Sequence, residues 1–188
     1  MSHSMITALG LQKPPYTHKY WVDEELNRNC LMVLAPALSI TWGNDRRYWT
    51  WPEEGESCYW GNENLPVAEL GRVCWLEIKG KCETIVLSPR TMYEVAIFVK
   101  MGSRNHGWEI PVNLSLQLPD GNKQGRMARL DSLKKETWTP LSIGKFETTP
   151  KTIGEISFSL TQTDGHWKSG LRVKGVVITP TTENKQPK

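Results

Sequence analysis

Asn113-Leu114-Ser115-Leu116-Gln117-Leu118 alternates polar and apolar side chains without a break. Successive side chains of a strand point to opposite faces, so this stretch reads as a β-strand with its leucines buried and its other face in water. Pro119-Asp120-Gly121-Asn122 then turns the chain. Working outward, Ile156, Phe158 and Leu160 repeat the pattern with serines between them, and Leu171, Val173, Val177 and Ile178 form a last strand pair or one long strand ending at Pro180. Upstream, Val73 to Ile78, Cys82 to Leu87 and Tyr93 to Lys100 favour strand by residue type, with turns expected at Lys79-Gly80-Lys81 and Ser88-Pro89-Arg90. Many short strands with almost no helical period indicate an all-β chain, an antiparallel sandwich or jelly roll.

The 188 residues suffice for one domain with a proper core. Residues 1–36 show no trustworthy period and read as a variable N-terminal extension, with one short helix over Asp23 to Arg28. Residues 37–180 are the expected domain and 181–188 a frayed polar tail. Asn122 to Lys135 is polar and dotted with Lys123, Arg126, Arg129, Lys134 and Lys135, so a solvated loop is expected there rather than a nuclear-import segment. The N-terminus lacks a cationic head followed by an apolar stretch, and no run approaches the roughly 18 apolar residues of a membrane span, which points to a soluble intracellular protein with no membrane partner. On that expectation the glycosylation tripeptide Asn113-Leu114-Ser115 is discounted. A net charge of only +3, with the basic residues spread out, argues against tight binding to phosphate backbones.

Chemistry needs a constellation, and the residues offer none. His3, His18, His106 and His166 lack metal-ligand spacing and a neighbouring nucleophile motif. Cys30, Cys58, Cys74 and Cys82 show no Cys-x-x-Cys pair; free thiols are expected, with Cys30 the candidate for an intermolecular disulfide because it falls in the extension. Asp45, Glu53, Glu54 and Asp164 could include a hydrolytic carboxylate pair, although surface carboxylates are far commoner. No catalytic residue, metal or cofactor is expected.

The aromatic residues say more. Nine tryptophans are present, and Trp42, Trp49, Trp51 and Trp60 fall close together. Ile40-Thr41-Trp42-Gly43-Asn44-Asp45-Arg46-Arg47-Tyr48-Trp49-Thr50-Trp51 sets large rings among a turn signal and two arginines, a composition suited to gripping a flat ligand. If Tyr48 to Trp51 is a strand, Trp49 and Trp51 share one face, and a sandwich core built on an inward tryptophan competes evenly with a binding surface. Asp164-Gly165-His166-Trp167-Lys168-Ser169-Gly170 joins two strand patterns and is therefore a loop at a sandwich end, either a binding loop or a glycine-framed turn with Trp167 tucked against the core.

Ile40-Thr41-Trp42, Tyr48-Trp49-Thr50-Trp51, Val67-Ala68-Glu69-Leu70, Val73-Cys74-Trp75-Leu76-Glu77-Ile78-Lys79-Gly80-Lys81, Leu87-Ser88-Pro89, Tyr93 and Trp167-Lys168-Ser169-Gly170 with Val173 and Gly175 occur in the order of, and together resemble, the phloem protein 2 family, the Nictaba-like plant lectins. The resemblance implies a β-sandwich of jelly-roll type, non-catalytic recognition of N-acetylglucosamine oligomers such as chitin oligomers and the chitobiose core of N-glycans, a homodimer, and residence in cytoplasm, nucleus, or phloem sieve elements and sap. It ties sugar binding to Trp42 and to Trp49 with its motif neighbour Tyr48, and adds Trp167, Lys168 and Ser169. Gln162 stands where one family member carries an acidic residue, so an amide contact replaces a carboxylate one. A rival reading stacks RNA bases on the same tryptophans beside Arg46, Arg47 and Lys168. A third is a sandwich that only scaffolds other proteins, through its N-terminal arm or through a disulfide to a phloem protein partner.

Overall fold

The computed structural model describes residues 17–58 and 61–182, with the side chains of 55–58 and 61–63 left aside. The first sixteen residues of the expected extension, Trp60 and most of the expected tail lie outside the described residues. Fourteen strands follow in order: β1 (His18–Asp23), β2 (Arg28–Leu34), β3 (Ser39–Ile40), β4 (Trp49–Thr50), β5 (Glu53–Cys58), β6 (Gly61–Pro66) and β7 (Ala68–Leu70). Then come β8 (Leu76–Glu83), β9 (Met92–His106), β10 (Val112–Gln117), β11 (Lys123–Ala128), β12 (Thr139–Glu147), β13 (Glu155–Gln162) and β14 (Ser169–Pro180). No described helix is long and apolar enough to cross a membrane.

The strands make an antiparallel sandwich of jelly-roll type. One sheet has the order β11-β10-β13-β8-β3. The other is built on β14, whose one edge pairs in turn with β7 (Arg172 to Glu69) and β2 (Val176 to Val33), while its other edge runs along β9, which pairs with β12. The switch of partners falls at Gly175, where any Cβ would stand 2.3 Å from the Val33 carbonyl oxygen. As the alternation of the opening hexapeptide requires, Leu114, Leu116 and Leu118 are buried, packed in one core with Ile156, Phe158 and Leu160 from the same sheet and Ile97, Val99, Leu171 and Val173 from the other. Each such side chain contributes about 1.5–3 kcal/mol by leaving water.

Several expectations are corrected. Lys79-Gly80-Lys81 is not a turn but the middle of β8, paired with Ser159, Phe158 and Ser157. Gly80 is there because a Cβ would come within 2.4 Å of the Phe158 ring and 2.7 Å of a Leu38 methyl, so the strand must be bare where those side chains cross it. Part of the expected 122–135 loop is the edge strand β11, mostly exposed on both faces and hence without alternation. The extension ends sooner than residue 36: β1 and β2 belong to the β14 sheet, and Asp23 to Arg28 is the bend of their hairpin, where the Asp23 carboxylate accepts from the Leu26 N–H at 2.8 Å. Cys30 to Leu34 is buried because inward Leu31 and Val33 join the main core, while outward Met32 and Leu34 pack under the β5–β6 hairpin with Leu65 and Val177. Cys30 is thus sealed in β2 rather than loose; burial pushes its thiol up to about 12, with Asp23 adding to the rise, and neither state suits disulfide exchange.

The hairpin is also held by charge. Glu54 takes Lys100 at 3.2 Å and pairs with Arg172, which reaches Glu69 at 3.1 Å.

Candidate functional site

The start of β8, the ends of β9 and β13 and the start of β14 lie at one pole of the sandwich, and the loops 41–48, 71–75 and 163–168 gather there. Backbone bonds stitch them together. The Gly71 N–H donates to the Tyr48 carbonyl at 2.7 Å, and Val73 and Lys168 exchange bonds of 3.0 and 2.8 Å. The Thr41 hydroxyl donates to the Glu77 carboxylate at 2.9 Å, anchoring the first loop to β8.

Ile40 to Trp49 is a run of tight turns: Gly43 N–H to Ile40 O at 2.9 Å, Asp45 to Trp42 at 3.0 Å, Tyr48 to Asp45 at 2.9 Å. The first of these turns holds Trp42 at φ +59°, a left-handed conformation that a bulky side chain adopts rarely and at a cost of about 1–2 kcal/mol. The strain leaves its indole 49% exposed, tilted 35° against the Tyr48 ring at 5.3 Å. Arg47 lies 5.3 Å from the same Tyr48 ring and is bound to Asp45 at 2.7 Å; the hydrogen bond from Arg47 holds the Asp45 carboxyl below its ordinary range. Beside this pair opens a groove of about 510 Å³ lined by Asn44, Arg46, Thr50, Pro52, Trp49 and Trp51. The Trp51 indole N–H donates to the Gly43 carbonyl at 2.8 Å and closes the loop upon itself.

The second loop depends on Lys168. Its side chain is wholly buried, and its ammonium donates to the carbonyls of Cys74, His166 (3.0 Å) and Asp164 (3.3 Å), using the three donors an ammonium has. Burial pulls its pKa below the ordinary lysine value, while Asp164 and Cys74 oppose that fall. Gln162 does similar work: its amide donates to the Pro111 carbonyl at 2.8 Å and accepts from the Asp164 N–H at 2.9 Å. His166 bridges the Asp164 carboxylate and the Gly107 carbonyl, the latter at 2.8 Å. These bonds leave Trp167 standing 49% exposed with the Arg72 guanidinium 4.8 Å over its ring.

The residues singled out from sequence therefore divide. Trp42, Tyr48 and Trp167 reach the surface of the loop end, and Ser169, half-buried, accepts the Trp108 indole N–H at 2.8 Å through its carbonyl. Trp49 is 1% exposed, in the core as a groove wall, with its indole N–H lacking an acceptor among the described residues. Lys168 and Gln162 are sealed, with their polar atoms satisfied inside the protein, so both hold the loop in shape, while Trp49 presents only its groove-facing side. Sequence reasoning missed Arg72 and the outward direction of Trp75, which is 46% exposed because the chain joins β8 only at Leu76. An Arg three residues ahead of the Trp-Leu-Glu-Ile segment carried no signal by itself. Among the described residues no cluster of histidine, cysteine and carboxylate side chains is placed to hold a metal.

The fold and the site define a β-sandwich whose aromatic surface is carried by loops at one pole. Residues 28–180 match the family model of phloem protein 2, and the chain belongs to that family. It is 44% identical to Protein PHLOEM PROTEIN 2-LIKE A1 of Arabidopsis thaliana over 171 residues, covering 89% of this chain and 68% of that protein. It is 44% identical to a Lectin of Luffa acutangula, covering 87% of this chain and 77% of that protein, and 31% identical to a Lectin of Coccinia grandis, covering 79% and 92%.

Proposed function

We propose that this chain is a non-catalytic carbohydrate-binding lectin that holds N-acetylglucosamine oligomers, including the chitobiose core of N-glycans, against the Trp42–Tyr48 pair and the groove beside it. The observation that carries the reading is the strained outward Trp42: a fold stabilised by burying indoles here holds one in water in a costly backbone conformation. An N-acetylglucosamine ring offers C–H groups on one face and an acetyl methyl, which suit an indole face, while Asn44, Arg46 and Thr50 in the groove can meet its hydroxyls and amide. Two relatives named lectin support the class. The family name supports residence in the phloem, and the homodimer of the sequence reading is retained as part of the proposal.

The RNA reading loses much of its basic surface, because Lys168 is buried and Arg47 is bound to Asp45. A glycan array carrying chitin oligomers, read at low and high salt, separates the two. The lectin reading expects retention that barely changes with salt and disappears in Trp42→Ala; retention that falls steeply with salt, or is unchanged in the variant, refutes it.

A further inference from the structure

The outer face of the β14 sheet carries a second hollow, of about 220 Å³, between β7, β14 and the end of β9. Its lining is polar: Glu69, Arg172, Lys100, Ser103, Arg104 and Glu136, with bare backbone at Gly102 and Gly170. It adjoins the aromatic groove directly. Thr50, which lines the groove, is the cross-strand partner of Glu69, which lines the hollow, and Glu69 is in turn the partner of Arg172. Arg172 is opposite Lys100. Adjacent strands lie about 4.8 Å apart, so the row from β4 across β7 and β14 to β9 spans about 14 Å, more than one sugar ring occupies.

Most charges in the hollow are engaged. Arg172 and Lys100 hold Glu54, Arg172 also holds Glu69, and the Glu136 carboxylate accepts the Ser103 N–H at 2.7 Å. Arg104 is different: it is exposed and has no hydrogen bond or ion pair with the described residues, so its guanidinium donors face the hollow's solvent. Carboxylates that retain lone pairs next to an uncommitted guanidinium match the alternating donors and acceptors of sugar hydroxyls. They do not match a single ionic group, which Glu69 and Glu136 would repel if anionic and Arg104 if cationic.

We infer that this hollow is a second subsite, which takes a neutral sugar residue further along an oligosaccharide whose first rings occupy the aromatic groove, with Arg104 as its main donor. The inference rests on the lectin reading and adds that affinity grows with oligomer length through Arg104. The test is titration calorimetry of the full chain with the di-, tri- and tetrasaccharide of N-acetylglucosamine, for wild type, Arg104→Ala and Arg104→Lys. One charged hydrogen bond corresponds to about a tenfold gain in affinity. Wild type is expected to bind the longer oligomers about tenfold more tightly than the disaccharide. Arg104→Ala should bind the disaccharide unchanged and lose that gain, and Arg104→Lys should keep part of it. Equal length dependence in wild type and Arg104→Ala overturns the subsite and leaves the lectin reading standing. Failure of wild type to bind any oligomer overturns both.

Discussion

Replacing Trp42 separates binding from folding. In Trp42→Ala the Cβ remains in the left-handed conformation and its cost of about 1–2 kcal/mol remains with it; in Trp42→Gly that cost disappears. Glycine elsewhere is less stable than alanine by about 0.5–1 kcal/mol because its unfolded chain is freer, so the net advantage of Trp42→Gly over Trp42→Ala is about 0.5–1 kcal/mol. For a chain of this length that difference moves the melting midpoint by about 2 °C, in the opposite sense to an ordinary surface position. Both variants remove the exposed half of the indole. An indole face of about 100 Å² covered by a ligand contributes about 2.5 kcal/mol, so both should lose oligomer affinity by more than about 50-fold. Thermal melts followed by tryptophan fluorescence, with calorimetry on chitin oligomers, read the two effects separately. An alanine variant as stable as the glycine variant would refute the strain argument, and wild-type affinity in either would refute the role of Trp42.

Three further outcomes are expected. Lys168→Met, which fills similar space without donors, should leave the carbonyls of Cys74, Asp164 and His166 unpaired and cost about 2–4 kcal/mol in urea unfolding, whereas a cost near zero would show that the cage does not hold the loop. Cys30 and Cys82, both buried with thiols pushed up to about 12, should resist iodoacetamide at pH 8 in the native protein and react once it is unfolded, as peptide mass mapping would read. Burial alone would raise the Glu54 carboxyl, but Lys100 and then Arg172 more than offset it and hold the pKa below its unfolded value of 4.5. The folded state therefore binds fewer protons than the unfolded state in this window, and the stabilisation is complete above that value and is lost as pH falls through the folded pKa. Urea midpoints measured from pH 6 to pH 3 should fall less in Glu54→Gln than in wild type.

How much of this was legible in the residues depended on whether one face of a strand is wet. Val112 to Gln117 and Glu155 to Gln162 have one face in the core and one partly open, so their leucines, isoleucine and phenylalanine recur at period two and announce themselves. β2 is covered on both sides, which turns Cys30-Leu31-Met32-Val33-Leu34 into an unbroken apolar run without period, and β11 is largely open on both sides, which leaves no apolar period at all. Gly80 imitates a turn because the demand for a missing Cβ comes from Phe158 and Leu38, distant in sequence. At the loop end, the segments that meet were readable from their tryptophans, but the direction of each ring was not. Trp42 and Trp49 have similar local surroundings, and only the turn geometry and the pairing of β4 with β7 send one out and the other in.

The threefold pairing of β14 has a consequence for how the protein is made. The first strands of its sheet, β1 and β2, and the later β9 and β12 form two separate hairpin-like ribbons until the strand that joins them arrives, and that strand is the last of the fourteen. During synthesis the ribosome must release β1 to β13 before the central seam can zip shut. Meanwhile Val33 and Ile97, joined in the finished sheet only by Val176 between them, have their main-chain edges open to any stray chain. Such late, long-range closure is slow compared with local pairing.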